Sequence, residues 1–311
     1  MKRIILIFLA SFIVLNLTGC SNNTNIKKTT IIATNFPGYD FARAVIKNSD
    51  DIDLKMLIKP GMDIHNFEPS PQDIKNIKNS DILIYVGGES DEWIKKIIKY
   101  LDTNKTKIVR LMDIVEVLNE ETIEGMQIND IDSDEDEYDE HIWTNPNNAI
   151  KIVEKLKNEI ISIDKKNEQL YENNANEYIE KLKKIDNEIK NIVNNSKRKE
   201  LIFADRFPLL YFVKEYNLTY YAAFPGCAEQ TEASAKTISF LINKIKEDKI
   251  PVIFKIELSN SKIATAIKNE TNTKIKTFNT AHNISKNDFE KGITYIDLMN
   301  KNIKVLKEAL N

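Results

Sequence analysis

Apolar residues recur along this chain in two rhythms. Short runs rich in Ile, Val, Leu and aromatic residues, bounded by Asn, Asp, Gly and Lys, read as strands. In the first half they fall near 30–34, 52–58, 81–86 and 107–111, and in the second near 200–203, 218–223, 252–256 and 274–279. Between them lie stretches whose apolar positions return every three or four residues, the rhythm of a helix with one buried face. These stretches fall at 39–47, 71–79 and 89–100, then at 209–216, 234–247, 259–269 and 295–310. The second of them carries a start signal: Ser70 as N-cap, Pro71 in the first turn, and Asp73 where a negative charge suits the helix dipole. Strands alternating with helices predict βαβ units, so the expected fold class is α/β, with two similar parallel-sheet lobes.

A longer helical segment, 146–196, separates the lobes. Its second part sets Tyr171, Ala175, Tyr178, Leu182, Ile185, Ile189 and Ile192 on one apolar seam of an otherwise Lys, Glu and Asn surface. A coiled-coil dimer would show the same seam. A single helix of about thirty residues would reach about 45 Å and lie along both lobes as a stiff spine; that arrangement, in a monomer, is the one expected. The chain then divides into a leader at 1–19, a tether at 20–28, an N-terminal lobe at 29–145, a linking helical segment at 146–197 and a C-terminal lobe at 198–311.

The leader sets the compartment. A basic Met1-Lys2-Arg3 precedes an apolar run from 4 to 16, long enough for a signal peptide and too short to span a bilayer comfortably. It ends in Leu17-Thr18-Gly19-Cys20, which resembles a lipobox, so Cys20 is expected to be acylated and to anchor the mature chain outside the cytoplasm on the cell membrane. An ordinary signal peptide containing a cysteine is the other reading. Loss of Lys2 and Arg3 takes the basic count from 44 to 42 against 47 acidic residues. With no basic stripe, nucleic acid is excluded as a partner. Cys227 is then the one remaining thiol, and no intrachain disulfide staples the fold.

Only three histidines occur, His65, His141 and His282, and each follows an expected strand. In parallel α/β sheets the loops after the strand C-termini gather along one edge, where ligands bind. Two lobes facing each other would bring the three imidazoles into one cleft, and imidazole is a common ligand for zinc and its neighbours. Scattered structural histidines are the plainer alternative.

The surroundings of these residues narrow the choice. The segments Gly61-Met62-Asp63-Ile64-His65-Asn66-Phe67-Glu68-Pro69-Ser70 and Glu140-His141-Ile142-Trp143-Thr144-Asn145-Pro146 resemble the substrate-binding lipoproteins of zinc and manganese ABC transporters, the cluster A-I family. The opening 32–40 and the closing 292–299 are similar as well, so the resemblance runs from about residue 29 to the C-terminus. It implies two α/β lobes joined by one rigid helix with the metal in the cleft between them. It also implies that His65 and His141 are the two first-lobe ligands and that His282 stands near a ligand position of the second lobe. Where the family has a histidine or glutamate after the first strand of the second lobe, this chain has Arg206, and a guanidinium cannot ligate a cation. Asp205, one residue earlier, is the expected fourth ligand, with Glu232 and Glu257 in reserve; an ion pair or a helix cap is the structural alternative for Asp205.

The expected function is therefore capture of Zn2+, with Mn2+ second, and its delivery to a membrane permease and its ATPase. Three nitrogens and a carboxylate oxygen fill a tetrahedral shell, which favours zinc and leaves no open position for catalysis. A surface-anchored zinc hydrolase would need such a position and a base beside it, and Glu68 is the nearest base by sequence. An adhesin built on the same fold is a third reading. The acidic loop 130–140 could collect cations loosely or be merely solvated, and Cys227 reads as a small buried residue rather than a ligand.

Overall fold

Residues 28–62, 67–127, 137–228 and 232–311 are described by the structure, a computed structural model. The leader, Cys20, His65 and the middle of the acidic loop lie outside the described residues. Among the described residues no helix is long and apolar enough to cross a membrane.

The N-terminal sheet is formed by β1 (Thr29–Ala33), β2 (Ile52–Met56), β3 (Ile82–Tyr85) and β4 (Lys107–Arg110), all parallel, in the order β2-β1-β3-β4. The C-terminal sheet repeats that order as β6-β5-β7-β8, with β5 (Glu200–Arg206), β6 (Thr219–Phe224), β7 (Val252–Ile256) and β8 (Lys274–Phe278). Inner strands of parallel sheets are covered on both faces, which is why they read as unbroken apolar runs. In β3 all four residues of Ile82–Tyr85 are buried. In each lobe the crossover reverses direction between the first and third strands, and such a switch point opens a crevice at the C-terminal strand edge.

Helices cover both faces. The first lobe carries α1 (Phe36–Val45), α2 (Pro71–Lys78) and α3 (Glu92–Ile98). Helix α1 starts before the apolar rhythm becomes visible because Asn35 caps it, accepting from the Gly38 N–H at 3.1 Å, and Pro37 fits the first turn. Ser70 and Asp73 cap α2 reciprocally, as the sequence suggests. The region expected as one helix at 89–100 begins with a tight 3-10 turn at Glu89–Asp91.

The linking segment holds two helices, the second of which is the expected spine. After α4 (Pro146–Ile163) the chain reverses through Asp164 and a 3-10 turn, Lys165–Asn167, into α5 (Glu168–Asn194). Asp164 accepts from the Tyr171 hydroxyl at 2.5 Å and the Asn167 amide at 2.8 Å, so this corner is locked by its own side chains. Helix α5 is the expected spine: at about 1.5 Å per residue it reaches about 40 Å. It packs on α1 from the first lobe and on α6 (Leu210–Tyr216) and α10 (Tyr295–Leu310) from the second. Every seam residue from Tyr171 to Ile192 is buried inside this chain, so intramolecular packing accounts for the seam without a coiled coil. The second lobe is completed by α7 (Ala235–Glu247), α8 (Lys262–Thr271) and α9 (Lys286–Glu290).

Polar ties fix the lobes to the spine. Buried Asp40 of α1 accepts from the Tyr178 hydroxyl of α5 at 2.9 Å, from the Tyr295 N–H of α10 at 2.8 Å, and from Arg43. Burial raises the Asp40 pKa and the Arg43 charge opposes that rise. Asp186 of α5 accepts from the Tyr216 hydroxyl at 3.0 Å. Each tie satisfies a group whose burial would otherwise cost about 1–3 kcal/mol.

Candidate metal centre

His141 and His282 come from opposite lobes and meet. His141 sits just before a 3-10 turn, Ile142–Thr144, whose exit is set by Asn145 capping α4 and Pro146 opening it. His282 follows β8 after Ala281, which takes a left-handed backbone (φ 57°). Its approach is held by Thr280: the Glu257 carboxylate accepts from the Thr280 N–H (2.7 Å) and hydroxyl (2.6 Å), and Trp143 Nε1–H donates to the Thr280 carbonyl (2.9 Å). The result is a 3.2 Å separation between His141 Nε2 and His282 Nδ1, with the rings crossed edge-to-face at 72°. Two nitrogens each 2.0–2.1 Å from a tetrahedral zinc stand about 3.3 Å apart.

The His141 ring is oriented from behind. Asp139 Oδ1 accepts from the His141 main-chain N–H at 2.7 Å and lies 3.0 Å from ring Nδ1. A carboxylate there keeps the proton on Nδ1 and turns the Nε2 lone pair toward His282. Burial alone would lower the pKa of His141, but the Asp139 charge and hydrogen bond, with help from Glu140 and Glu120, outweigh it and the net direction is upward. Asp139 is itself held from the second lobe, since the Tyr211 hydroxyl donates to its carbonyl at 2.8 Å.

Among the described residues, Glu140, His141 and His282 form a group whose ligand-type atoms all lie within 4.8 Å of one another. Of the residues expected from sequence, the structure thus brings His141 and His282 together, and His65 lies outside the described residues. Asp205 is placed on the wall of an adjoining cavity of about 270 Å³, together with Arg206, Glu257, His282 and Asn283. Its two carboxylate oxygens accept main-chain N–H groups, Oδ1 from Arg206 at 2.9 Å and Oδ2 from Ile256 at 3.2 Å. It stands at a register shift where β5 runs past Phe203, so it ties the ends of β5 and β7 together. Glu257 is taken up by Thr280, and Glu232 and Glu68 are exposed. Cys227 donates its main-chain N–H to Glu120 at 2.8 Å, and burial among Glu140, Glu120 and Asp139 raises its thiol pKa well above the usual value.

Asp139 and Glu140 were not among the expected site residues, because inside a run of acids they read as solvated charge. The signal was their place directly before His141: an aspartate two residues upstream can reach both the histidine N–H and its ring.

The comparisons with known proteins decide the family. Residues 31–309 match the family described as ZnuA, zinc-uptake complex component A, periplasmic. The chain belongs to the ZnuA family. It is 30% identical over 286 residues to the high-affinity zinc uptake system protein ZnuA of Bacillus subtilis (strain 168), covering 91% of this chain and 88% of that one. It is 29% identical over 311 residues to the zinc-binding lipoprotein AdcA of Streptococcus pneumoniae (strain ATCC BAA-255 / R6), covering 99% of this chain but only 61% of that longer protein. The crystal structure of the Zn(II)-bound ZnuA-like domain of the pneumococcal AdcA superposes with a TM-score of 0.75 at 26% identity, covering 91% of this chain and 99% of that domain. The ZnuA-family fold is therefore the two-lobed α/β fold expected from the sequence, and the two described histidines meet where its lobes face each other.

Proposed function

We propose that this chain captures zinc outside the cytoplasm and delivers it to an ABC permease and its ATPase, held at the membrane by lipid on Cys20. The observation that carries the reading is the 3.2 Å approach of His141 Nε2 and His282 Nδ1 from opposite lobes, with the His141 tautomer set by Asp139. His65 is proposed as the third imidazole: the main chain leading to it is held at Met62, whose carbonyl accepts from the Asn283 side chain next to His282. A carboxylate oxygen completes a shell suited to zinc, with manganese second because it favours more oxygen. The names of the B. subtilis and pneumococcal relatives, both zinc proteins, support the choice of metal. A hydrolase would need an exchangeable water and a base beside the metal, and Glu68, the base suggested by sequence, is exposed. The test is zinc uptake in cells: deletion of this chain should raise the zinc needed for growth, wild type should restore it, and a His141→Ala/His282→Ala variant should not. Restoration by that double variant would sink the proposal.

A further inference from the structure

We infer that Glu140 supplies the carboxylate ligand of the zinc site, and that Asp205 serves the fold. This assignment rests on the functional reading above and adds to it the one donor that reading leaves open.

Four observations carry it. Glu140 offers a carboxylate oxygen within 4.8 Å of the ligand nitrogens of both His141 and His282, so a shift of about an ångström brings it into a shell whose donors stand about 3.3 Å apart. The residue is 1% exposed, and among the described residues no Lys or Arg pairs with it; its polar neighbours include Ser90, His141, Asp139, Asp91 and the Cys227 thiol. A buried carboxylate needs a cation or a proton, and a divalent ion between Glu140 and two neutral imidazoles meets that need directly. The third observation is how the side chain is held. The Ser90 N–H donates to Oε2 at 3.3 Å and the Ser90 hydroxyl donates to Oε1, which leaves about two of the four lone-pair sites of the carboxylate for a metal. Glu140 also lies over the backbone of Gly88, where any Cβ would collide with it. The loop after β3 is thus shaped around this carboxylate. Fourth, among the described residues the group that closes on both imidazoles includes Glu140 and neither Asp205 nor Glu257, whose hydrogen bonds serve the fold. Asp205 Oδ2 accepts from the Ile256 N–H and so joins β5 to β7 while Oδ1 accepts from the adjacent Arg206 N–H, both Glu257 oxygens hold Thr280, and Glu232 is exposed.

The experiment compares Glu140→Gln, Ser90→Ala, Asp205→Asn and His282→Ala with wild type. For each, zinc and manganese affinities are measured by chelator competition, and thermal stability is measured on the metal-free protein. Glu140→Gln keeps the size of the side chain and an oxygen for Ser90, so the metal-free melting temperature should hold while zinc affinity falls by at least about 100-fold, beyond the range of a supporting residue. The loss for manganese should be larger, because that ion depends more on oxygen donors. Ser90→Ala should weaken zinc about 10-fold by loosening the carboxylate, and it gives an independent reading should Glu140→Gln fail to fold. Asp205→Asn should lower melting temperature more than affinity. Near-wild-type zinc affinity in Glu140→Gln, or in Ser90→Ala if the first variant does not fold, overturns the Glu140 assignment. So does an Asp205→Asn variant that loses zinc at unchanged melting temperature. Wild-type affinity in His282→Ala is a different failure, since it removes the site itself.

Discussion

Replacing Asp139 by Asn removes a charge from the carboxylate that, among the described residues, hydrogen-bonds the His141 ring, and the structure sets two opposing consequences. Asp139 accepts from His141 at 2.7 Å (main chain) and 3.0 Å (ring), and both residues are buried. An asparagine oxygen can still accept the Nδ1 proton, so the ring should keep its orientation, but Nε2 becomes a weaker donor. Changes to such supporting groups cost about 10–100-fold in metal affinity, and the conservative amide belongs at the low end, about 10-fold or 1.4 kcal/mol. The second consequence runs the other way. Burial lowers the pKa of His141 and Asp139 is the largest influence raising it, so without that charge burial prevails and the ring is protonated only at lower pH. Protons compete with zinc for wild-type His141 from a higher pH than in the variant, where burial acts against protonation. Chelator-competition titrations at pH 8, 7 and 6 should therefore show Asp139→Asn about 10-fold weaker at pH 8 with the gap closing by pH 6. An unchanged affinity at pH 8, or the same loss at all three values, would refute the roles given to Asp139.

Three further outcomes follow from other parts of the molecule. Leu182→Ala opens the fully buried centre of the spine seam and should cost about 2–5 kcal/mol in chemical unfolding, while folded protein keeps wild-type zinc affinity because the site does not touch α5; a loss below 1 kcal/mol would contradict the spine. Asp91 has a pKa raised to about 7, first by burial and then by the Glu140 charge, against hydrogen bonds from Val86 and Gly87. Its folded value exceeds the unfolded one, so its contribution is present at low pH and is lost as pH rises toward 7; Asp91→Asn should stabilise metal-free protein at pH 8 by about 1–3 kcal/mol and leave it nearly unchanged at pH 4. Equal effects at both pH values would show that Asp91 titrates normally. Zinc at 100 times its dissociation constant should raise stability by about 2.7 kcal/mol, and His282→Ala should abolish that increment in thermal unfolding.

Much of this was legible in the sequence, for physical reasons that differ by element. The strands of each sheet showed because inner strands such as Ile82–Tyr85 are buried on both faces. Helix α2 showed because its cap is local: Ser70 and Asp73 act within one turn. The spine seam from Tyr171 to Ile192 was readable, but what covered it was not, since helix and coiled-coil packing share a rhythm. The corner at Asp164 was hidden because the pattern stays helical on both sides, and only the Tyr171 and Asn167 hydrogen bonds show why the chain turns there. Strand β5 runs on to Arg206 because it pairs with β6 and because Asp205 ties to β7, contacts that local pattern cannot contain. At the site, scarcity and placement marked the histidines. The roles of Asp139 and Glu140 depended on burial, which a run of acids gives no reason to expect.

The central claim is that His141 and His282 hold one zinc ion between the lobes, and the most direct test is zinc stoichiometry and affinity of the folded chain with and without those two imidazoles. Protein lacking the leader, freed of metal and titrated with zinc against a competing chelator, should bind one ion per chain with submicromolar affinity, on the order of −8 kcal/mol or better. The His141→Ala/His282→Ala variant, with circular dichroism matching wild type, should bind none at that strength. Tight binding that survives in the folded double variant, or wild-type protein that takes up no zinc, would contradict the account.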